Sequence, residues 1–230
     1  MEHAKTFPPS GSKAWIQCPA WQGSDATHPS AAEGTRLHGV AEDLFFGRGE
    51  QDPEDVTKLS FYVCYIMDLK RIADKWSVEE KLTMKATGEF GTGDFIALVR
   101  IWGLTFIHVV DLKTGSNVVS PAENSQLRLY GLGALEKYKL SNRELSKTIV
   151  VQTIHQHGKA RSWAEPALSL LDWQDSILKP AVETRRIVLK EENPTTKGNP
   201  DEYGACFFCA HKETCTAKHG NIEDELCELS

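Results

Sequence analysis

Two aspartates and a lysine near the middle of the chain have the types and spacing of a hydrolytic metal site. Asp94 follows a glycine. Asp111 lies near the end of an apolar run, LTFIHVVDL over residues 104–112, and Lys113 comes directly after it. The next residues, Thr-Gly-Ser, are a turn signal. The β-branched and aromatic composition of the run predicts a buried strand. Because side chains alternate along a strand, Asp111 and Lys113 are presented together on one side at its end.

These groups suit metal-assisted hydrolysis of a phosphodiester. Asp94 and Asp111 would hold Mg²⁺ or Mn²⁺, which are hard cations that take oxygen ligands. The metal would activate a water and stabilise charge on the phosphate. Lys113 would orient that water or neutralise the developing negative charge. A strand-end salt bridge is the simpler interpretation of a bare Asp-x-Lys pattern, and that alternative stays open.

A histidine precedes these residues on an amphipathic helix. Ser30 and Glu33 fit a capping box, so a helix is expected to begin there. Its apolar positions form one stripe at helical spacing: Leu37, Val40, Ala41, Leu44 and Phe45. His38 sits at the margin of that stripe, from which a side chain can reach a cleft. An ordinary core or surface histidine is the alternative.

A second helix, expected from about Ala122 to Tyr138, carries Gln126 and Tyr130 four residues apart and therefore on one face. Ordinary surface amphipathy of a helix is the default interpretation of that pair. Glu123, one turn before Gln126, and Glu80, on an earlier strand, are open candidates for the same site.

The remaining pattern predicts a mixed α/β fold with a central β-sheet flanked by helices. The expected elements are a helix from Val56 to about Trp76 with Cys64 in the core, strands at Val78–Met84, Glu89–Arg100 and Thr148–Thr153, a helix at Leu168–Glu192 kinked at Pro180, and a loop at 191–203. The first two strands and residues 104–112 form a meander whose acidic and lysine positions converge at one end.

Four of the six cysteines form a second pattern. Cys206, Cys209 and Cys215 have C-x2-C-x5-C spacing, and Cys18 lies near the other end of the chain. A C-x2-C pair alone fits zinc, a redox pair or half of an iron–sulfur site. Four thiolates complete a ligand set for an iron–sulfur cluster or for Zn²⁺, and ligand type does not separate the two. Cys227, in an acidic tail, is assigned no role.

Composition narrows the classes of protein. A chain of 230 residues with 40% apolar content makes one domain, or one domain with a small appendage. A net charge of -6 argues against a globally basic DNA-binding protein, so nucleic-acid contact would be local. No apolar run is long enough to span a bilayer, and the start of the chain lacks a signal-peptide pattern. We therefore expect a cytoplasmic protein whose cysteines are reduced.

Together these motifs resemble the PD-(D/E)XK nuclease superfamily in its RecB-like branch. The matching motifs are Gly34-Thr35-x-x-His38, Gly91-x-x-Asp94, Asp111-x-Lys113 and Gln126-x-x-x-Tyr130. The proline of the superfamily's name is absent, which is common in this branch. The resemblance covers about residues 10–220, and each motif is weak alone although the ordered combination is specific.

The resemblance implies a restriction-endonuclease-like core and a set of site residues. The implied metal ligands are His38, Asp94 and Asp111, and the implied catalytic residues are Asp94, Asp111, Lys113, Gln126 and Tyr130. Some members of this branch bind a [4Fe-4S] cluster through one cysteine before the core and three after it. Cys18, Cys206, Cys209 and Cys215 match that order, with Zn²⁺ as the alternative, and the cluster would join the two ends of the chain.

The implied organisation is a single nuclease domain over 1–230. It has a catalytic core at 19–165, helical and cluster-binding segments at 1–18 and 166–220, and an acidic tail at 221–230. No G-x-x-x-x-G-K-[ST] loop is present, so no built-in motor is expected.

In function the chain looks like the stand-alone exonucleases of phages and prophages. This implies a Mg²⁺- or Mn²⁺-dependent DNA exonuclease, acting on single strands or free ends in recombination, repair or end processing. It would work in the cytoplasm of a bacterial host, with a recombination or annealing protein as partner and no membrane. The alternatives are a catalytically inactive nucleic-acid or protein binding module on the same fold, and a zinc-stabilised module without nuclease activity.

Overall fold

A five-stranded mixed β-sheet organises the molecule. The structure is a computed structural model that describes residues 6–23, 29–190, 206 and 209–215. The strands are β1 (Lys75–Met84), β2 (Glu89–Ile101), β3 (Leu104–Lys113), β4 (Thr148–Gln156) and β5 (Lys159–Pro166). They lie side by side in chain order. β3 and β4 are parallel and the other neighbours are antiparallel.

Helices cover the sheet. They are α1 (Ser12–Gln17), α2 (Pro29–Phe46), α3 (Pro53–Ile72), α4 (Ser125–Tyr138), α5 (Asn142–Leu145), α6 (Ala167–Trp173) and α7 (Lys179–Val188), with a 3₁₀ turn at Pro9–Gly11 and a π-helical turn at Gln174–Leu178. α4 lies in the connection from β3 to β4, as the parallel pairing of these strands requires. In the described part of the chain, no helix combines the length and the apolar character needed to cross a bilayer.

Two apolar clusters pack against the sheet. In one, α2 and α3 contribute Leu37 and Leu59, which meet Phe95 of β2. In the other, α4 contributes Leu127, which packs with Ile107 of β3. All five of these side chains are at most 1% exposed. The expected mixed α/β fold with a central sheet flanked by helices is therefore confirmed.

α4 lies unusually close to the sheet because glycine occupies its contact face. A Cβ atom added to Gly133 would come within 2.8 Å of the Cβ of Leu82 on β1. At its start, the side chain of Asn124 accepts hydrogen bonds from the N–H groups of Gln126 and Leu127. This N-cap fixes the first turn of the helix. The close packing and the cap together fix the position of α4 against the sheet.

One helix is shorter at its C-terminal end than the hydrophobic pattern indicates. The helix expected at 56–76 is α3, which ends at Ile72 because Ala73 adopts an extended backbone. Trp76 lies instead on β1, where its ring packs 5.4 Å from that of Phe45. Its helical spacing is a coincidence, since both elements turn apolar side chains toward the same cluster. Cys64, expected in the core, is exposed.

Other boundaries also differ from the sequence prediction. α4 starts at Ser125 rather than Ala122, because Asn124 acts as the cap and Glu123 has a positive φ of 53°. β5 was not predicted, because its residues other than Arg161 and Glu165 are exposed and show no apolar alternation. It forms a tight hairpin with β4 through His157 and Gly158, both with positive φ, as a type I′ turn requires.

The helical segment expected to kink at Pro180 is irregular one turn earlier. Pro180 lies in the first turn of α7, and the π-helical turn precedes it. Proline lacks an N–H and its ring crowds the carbonyl four residues back, which here belongs to Ser176 in that turn. Widening of this turn relieves the conflict. The loop expected at 191–203, the acidic tail at 221–230 and Cys227 all lie outside the described residues.

Candidate functional site

The candidate site lies where β2 and β3 separate, a point that we call the fork. Their ladder ends at Phe95 and Val110, although β3 continues three residues further beside β4. Asp94 is the next residue on β2, and its Oδ2 accepts the N–H of Leu112 at 2.6 Å. The carboxylate thus replaces a backbone acceptor at the fork. Continuing the same register places Asp111 opposite Asp94, so the fork brings both predicted aspartates to one cleft.

Three side chains at this fork form a potential metal site. His38, Glu79 and Asp94 each offer a ligand atom, and these atoms lie within 4.8 Å of one another. The Nδ1 atom of His38 is 3.3 Å from Asp94 Oδ1 and 3.7 Å from Glu79 Oε1. Two carboxylates and an imidazole are ligand types that divalent cations accept.

The protonation of His38 reflects these neighbours. Burial acts to lower the pKa of His38, but the carboxylates of Asp94 and Glu79 outweigh it and raise the pKa to about 11. The imidazolium therefore supplies positive charge between two acidic groups. A metal ion would have to displace its proton, since only neutral imidazole is a ligand.

Glu79 is a site residue that sequence reasoning missed. It lies on β1 opposite Asp94 in the register and has a φ of 48°, in the left-handed region. A non-glycine residue there costs on the order of 1–3 kcal/mol and persists only where its surroundings impose it. No sequence motif includes Glu79, because only the β1–β2 register places it opposite Asp94. Its neighbour Glu80, an open candidate, instead pairs with Lys137 at 2.6 Å.

Asp111 and Lys113, predicted to be presented together at the end of β3, form an ion pair there. Lys113 Nζ is 2.8 Å from Asp111 Oδ2, and Asp111 is buried. Gln126 on α4 contacts both partners: its Oε1 accepts from Lys113 Nζ at 3.0 Å, and its Nε2 donates to Asp111 Oδ1 at 3.1 Å. The same Nε2 lies 3.2 Å from the hydroxyl of Tyr130. The Gln126 amide thus fixes the orientation of the pair.

Burial and charge act against each other within this pair. Burial raises the pKa of Asp111, and the charge of Asp94 adds to this, while Lys113 opposes it. Burial acts to lower the pKa of Lys113, but Asp111 and Asp94 raise it above its ordinary value. The lysine is therefore held as a cation. A further cation at the fork would stabilise the ionised form of Asp111.

The six residues predicted to bind the metal or to act in catalysis all line one cleft with a volume of about 490 Å³: His38, Asp94, Asp111, Lys113, Gln126 and Tyr130. Its other wall includes Pro8 and Pro9 of the N-terminal segment. Pro9 packs on Gly91, where an added Cβ would come within 2.6 Å of the proline ring and 2.7 Å of Tyr130. Glycine at this position permits that packing. Glu123, the second open candidate, is exposed and faces Arg128 at 3.7 Å.

The cysteine-bearing ends of the chain lie side by side. Gly23 forms an antiparallel bridge with Cys209, and Ala210 donates its N–H to the carbonyl of Gln22 at 2.9 Å. Cys18 and Cys206 are buried, Cys209 and Cys215 are partly buried, and none of the four is in a disulfide. The grouping of ligand atoms within 4.8 Å found among the described residues contains no cysteine.

A buried arginine connects these ends to the cleft wall. Arg185 of α7 donates to the carbonyls of Thr6, Pro19 and Trp21 at 2.6–2.8 Å. Burial lowers the pKa of Arg185, while Cys18, Glu89 and Cys209 act in the opposite direction. Cys18 and Cys209 therefore both lie near the Arg185 guanidinium, which remains a cation. The segment that holds Cys18 also holds the proline wall of the cleft.

Loss of the Glu79 charge is expected to weaken metal binding. A unit charge about 4 Å from a cation contributes up to about 4 kcal/mol at an effective dielectric constant of 20. We therefore expect Glu79→Gln to lower Mn²⁺ affinity on the order of 100-fold, measured by isothermal titration calorimetry. Glu80→Gln is the matched control, because it removes the same charge from the next residue, outside the cleft. Equal affinity of the Glu79→Gln and Glu80→Gln proteins would exclude Glu79 as a ligand.

Comparison with known proteins gives a family and a distant structural likeness. A family model described as "Protein of unknown function (DUF2800)" matches residues 50–226. This range includes the cleft residues from Glu79 to Tyr130, while His38 and Cys18 precede it. A solved structure titled "Crystal structure of SSO0001" has 18% sequence identity over 83% of this chain and 72% of that chain, with a TM-score of 0.36. That TM-score is too low to support an inference.

Proposed function

Because the chain belongs to the DUF2800 family, whose description names no activity, we propose from its cleft that it is a Mg²⁺- or Mn²⁺-dependent deoxyribonuclease. The observation that carries this proposal is the fork between β2 and β3. Here one ligand atom each from His38, Glu79 and Asp94 lies within 4.8 Å of the other two, beside the Asp111–Lys113 ion pair. Acidic metal ligands next to a buried lysine are the groups that phosphodiester hydrolysis requires.

Each side chain has a role that its contacts support. A bound divalent ion would activate water and stabilise negative charge on the phosphate. His38, Glu79 and Asp94 would hold that ion, and Asp111 would face it from the other side of the fork. Lys113, held as a cation, would donate to the attacking water or to a phosphate oxygen. Gln126 keeps Lys113 in position, and Tyr130 supports Gln126.

The proposed substrate is DNA with a single-stranded or free end, and the proposed reaction is exonucleolytic. A cleft of about 490 Å³ accommodates one strand more readily than a duplex. The acidic net charge also disfavours the broad phosphate contacts by which proteins hold duplex DNA. The β1–β3 meander, the parallel β4 and the crossover helix α4 are compatible with the restriction-endonuclease-like core of the RecB-like branch, to which we assign the chain.

The biological setting is part of the same proposal and depends on the resemblance of the motifs. We assign the activity to DNA recombination, repair or end processing in phages or prophages, within the cytoplasm of a bacterial host. A recombination or annealing protein is the proposed partner.

The direct test is cleavage of end-labelled linear DNA, beside circular DNA, by the 230-residue protein with Mg²⁺, Mn²⁺ or EDTA. Loss of linear DNA with metal, and none with EDTA, is the expected result, and persistence of the circles would indicate an exonuclease. Absence of cleavage with either metal, under conditions in which the protein binds Mn²⁺, would contradict the proposal. That result would favour the catalytically inactive binding module.

We further assign Cys18, Cys206, Cys209 and Cys215 to one metal centre, a [4Fe-4S] cluster with Zn²⁺ as the alternative. The support is the bridge between Gly23 and Cys209, together with Arg185 near two of the thiols. Four thiolates suit either group, and binding only in the folded state would add to stability.

Metal analysis of anaerobically purified protein distinguishes the cofactors. We expect about four iron atoms per chain and a brown colour for a [4Fe-4S] cluster, or one zinc and no colour for the alternative. Either metal should decrease in the Cys18→Ala protein, whereas Cys64→Ala, which changes an exposed cysteine outside the set, should retain it. A wild-type protein without iron or zinc would contradict the assignment.

A further inference from the structure

The hairpin of β1 and β2 leaves one face uncovered beside the cleft. In its outer half, the buried side is formed by Leu82, Met84, Gly91 and Gly93. The opposite side carries Lys81, Thr83, Phe90 and Thr92, which are exposed or partly exposed; we call these four residues the outer hairpin face. It lies on the side of the sheet where α2 and α3 cover the inner half.

The positive φ of Glu79 accounts for this arrangement. Val78 packs into the α2–α3 cluster, and two residues later Glu80 points to the α4 side, where it pairs with Lys137. Regular alternation would put these two residues on the same face. The left-handed backbone of Glu79 reverses the alternation. As a result, the outer hairpin face adjoins the carboxylates of Glu79 and Asp94.

Phe90 and Lys81 form a contact on this face. The Nζ atom of Lys81 lies 3.5 Å from the centroid of the Phe90 ring. Phe90 and Thr92 line the cleft with Asp94. Residues two apart on a strand share a face, so these three follow one line along β2. At about 3.3 Å per residue, Phe90 is roughly 13 Å along the strand from Asp94.

The net charge of the cleft determines which contacts can hold a nucleic-acid strand beside it. Three carboxylates face the cleft, those of Glu79, Asp94 and Asp111, against two cations, His38 and Lys113. A polyanion approaching without metal meets net negative charge there. Affinity for the strand beyond the reacting phosphate must therefore come from contacts that do not depend on many cations. Stacking of bases on aromatic rings is such a contact, and an adjacent cation can take a phosphate.

We propose that Phe90 and Lys81 form a nucleotide subsite, in which an unpaired base stacks on the Phe90 ring and Lys81 moves from the ring to the flanking phosphate. This inference rests on the proposed nuclease function and specifies its substrate as a single strand. In duplex DNA the faces of the bases are already stacked, so the subsite selects against it. The subsite would hold the strand on the outer hairpin face while a phosphate lies at the fork.

Binding of a single-stranded oligonucleotide that contains 2-aminopurine tests the subsite. With Ca²⁺ as the cation, wild type is expected to bind it with quenching of the 2-aminopurine fluorescence by stacking. Loss of one stacked base should weaken binding of the Phe90→Ala protein about 10- to 100-fold and remove the quenching. Phe90→Trp should retain both. The matched control is Phe61→Ala, which removes a ring that is 66% exposed on α3 and should have no effect.

The lysine is tested separately through the salt dependence of binding. Each phosphate contact contributes about -0.7 to the slope of log K against log salt for single strands. Lys81→Met should therefore make the slope less negative by about 0.7, while thermal unfolding confirms an intact fold. The inference is overturned if Phe90→Ala binds the single strand within twofold of wild type, or if its affinity for blunt duplex falls equally.

Failure of the subsite differs from failure of the nuclease proposal. Metal-dependent cleavage combined with unaltered binding by Phe90→Ala would overturn the subsite alone. Phe90-dependent binding and quenching without cleavage in Mg²⁺ or Mn²⁺ would support the subsite and overturn the nuclease proposal. Absence of oligonucleotide binding by wild type would overturn the subsite.

Discussion

Replacement of Asp111 by asparagine is expected to lower DNA cleavage on the order of 1000-fold. Asparagine has nearly the same shape, and its oxygen can still accept the hydrogen bond from Gln126 Nε2. The substitution removes the charge that faces the fork and pairs with Lys113 at 2.8 Å. A buried charge a few ångströms from a developing charge is worth several kcal/mol, which corresponds to a loss of this size.

Single-turnover cleavage of end-labelled DNA in Mn²⁺ measures this effect. Asp68→Asn is the control, because it removes a carboxylate that is 71% exposed and paired with Arg71 on α3. We expect its rate to match that of wild type. Thermal unfolding should show that both variants fold. A folded Asp111→Asn protein that cleaves within tenfold of wild type would exclude Asp111 from the reaction.

Local patterns were sufficient to predict the central elements of the sheet. The apolar run of β3 ends at Asp111 and Lys113 because the fork begins there, so a strand signal and a charge signal coincide. His38, Gln126 and Tyr130 were predicted because each belongs to a short motif, and the structure brings all three to one cleft. Short motifs are informative when the spacing in sequence fixes the spacing on one element.

Glu79 could not be predicted, because its proximity to Asp94 depends on the pairing of two strands. The sequence offered Glu79 and Glu80 as neighbours, and regular alternation along β1 cannot decide between them. The decisive feature is the left-handed backbone of Glu79, which reverses the alternation. No local composition predicts a positive φ at a glutamate. Tertiary constraint at the site therefore overrides the propensity of the strand.

The boundary errors have a similar origin. Trp76 appeared to continue the helix because β1 and α3 contribute to the same apolar cluster, and clustering in space imitates periodicity in sequence. β5 gave no signal because an edge strand with two exposed faces has no reason to alternate apolar and polar residues. The failures of prediction thus lie where the pairing and packing of distant elements, rather than local preference, determine structure.

Two substitutions of Asp94 are expected to separate metal binding from stability. Asp94 has two partners: Oδ1 is 3.3 Å from His38, and Oδ2 accepts the N–H of Leu112. Asparagine preserves an acceptor for that N–H but removes the charge, so Asp94→Asn should fold normally and lose Mn²⁺ affinity on the order of 100-fold. Its free energy of unfolding should fall somewhat, because the His38 imidazolium loses its partner, although relief of repulsion from Glu79 and Asp111 offsets part of that loss.

Alanine removes the charge and the acceptor together. The buried N–H of Leu112 then has no acceptor from residue 94, which costs about 1–3 kcal/mol. We therefore expect Asp94→Ala to bind Mn²⁺ as weakly as Asp94→Asn. Its unfolding temperature should be about 2–12 °C below that of Asp94→Asn, given the usual shift of about 2–4 °C per kcal/mol for a chain of this size. Calorimetric titration with Mn²⁺ and thermal unfolding without metal measure the two effects. If Asp94→Asn bound Mn²⁺ as tightly as wild type, Asp94 would serve only to close the fork between β2 and β3, and the metal site would have to be sought elsewhere in the cleft.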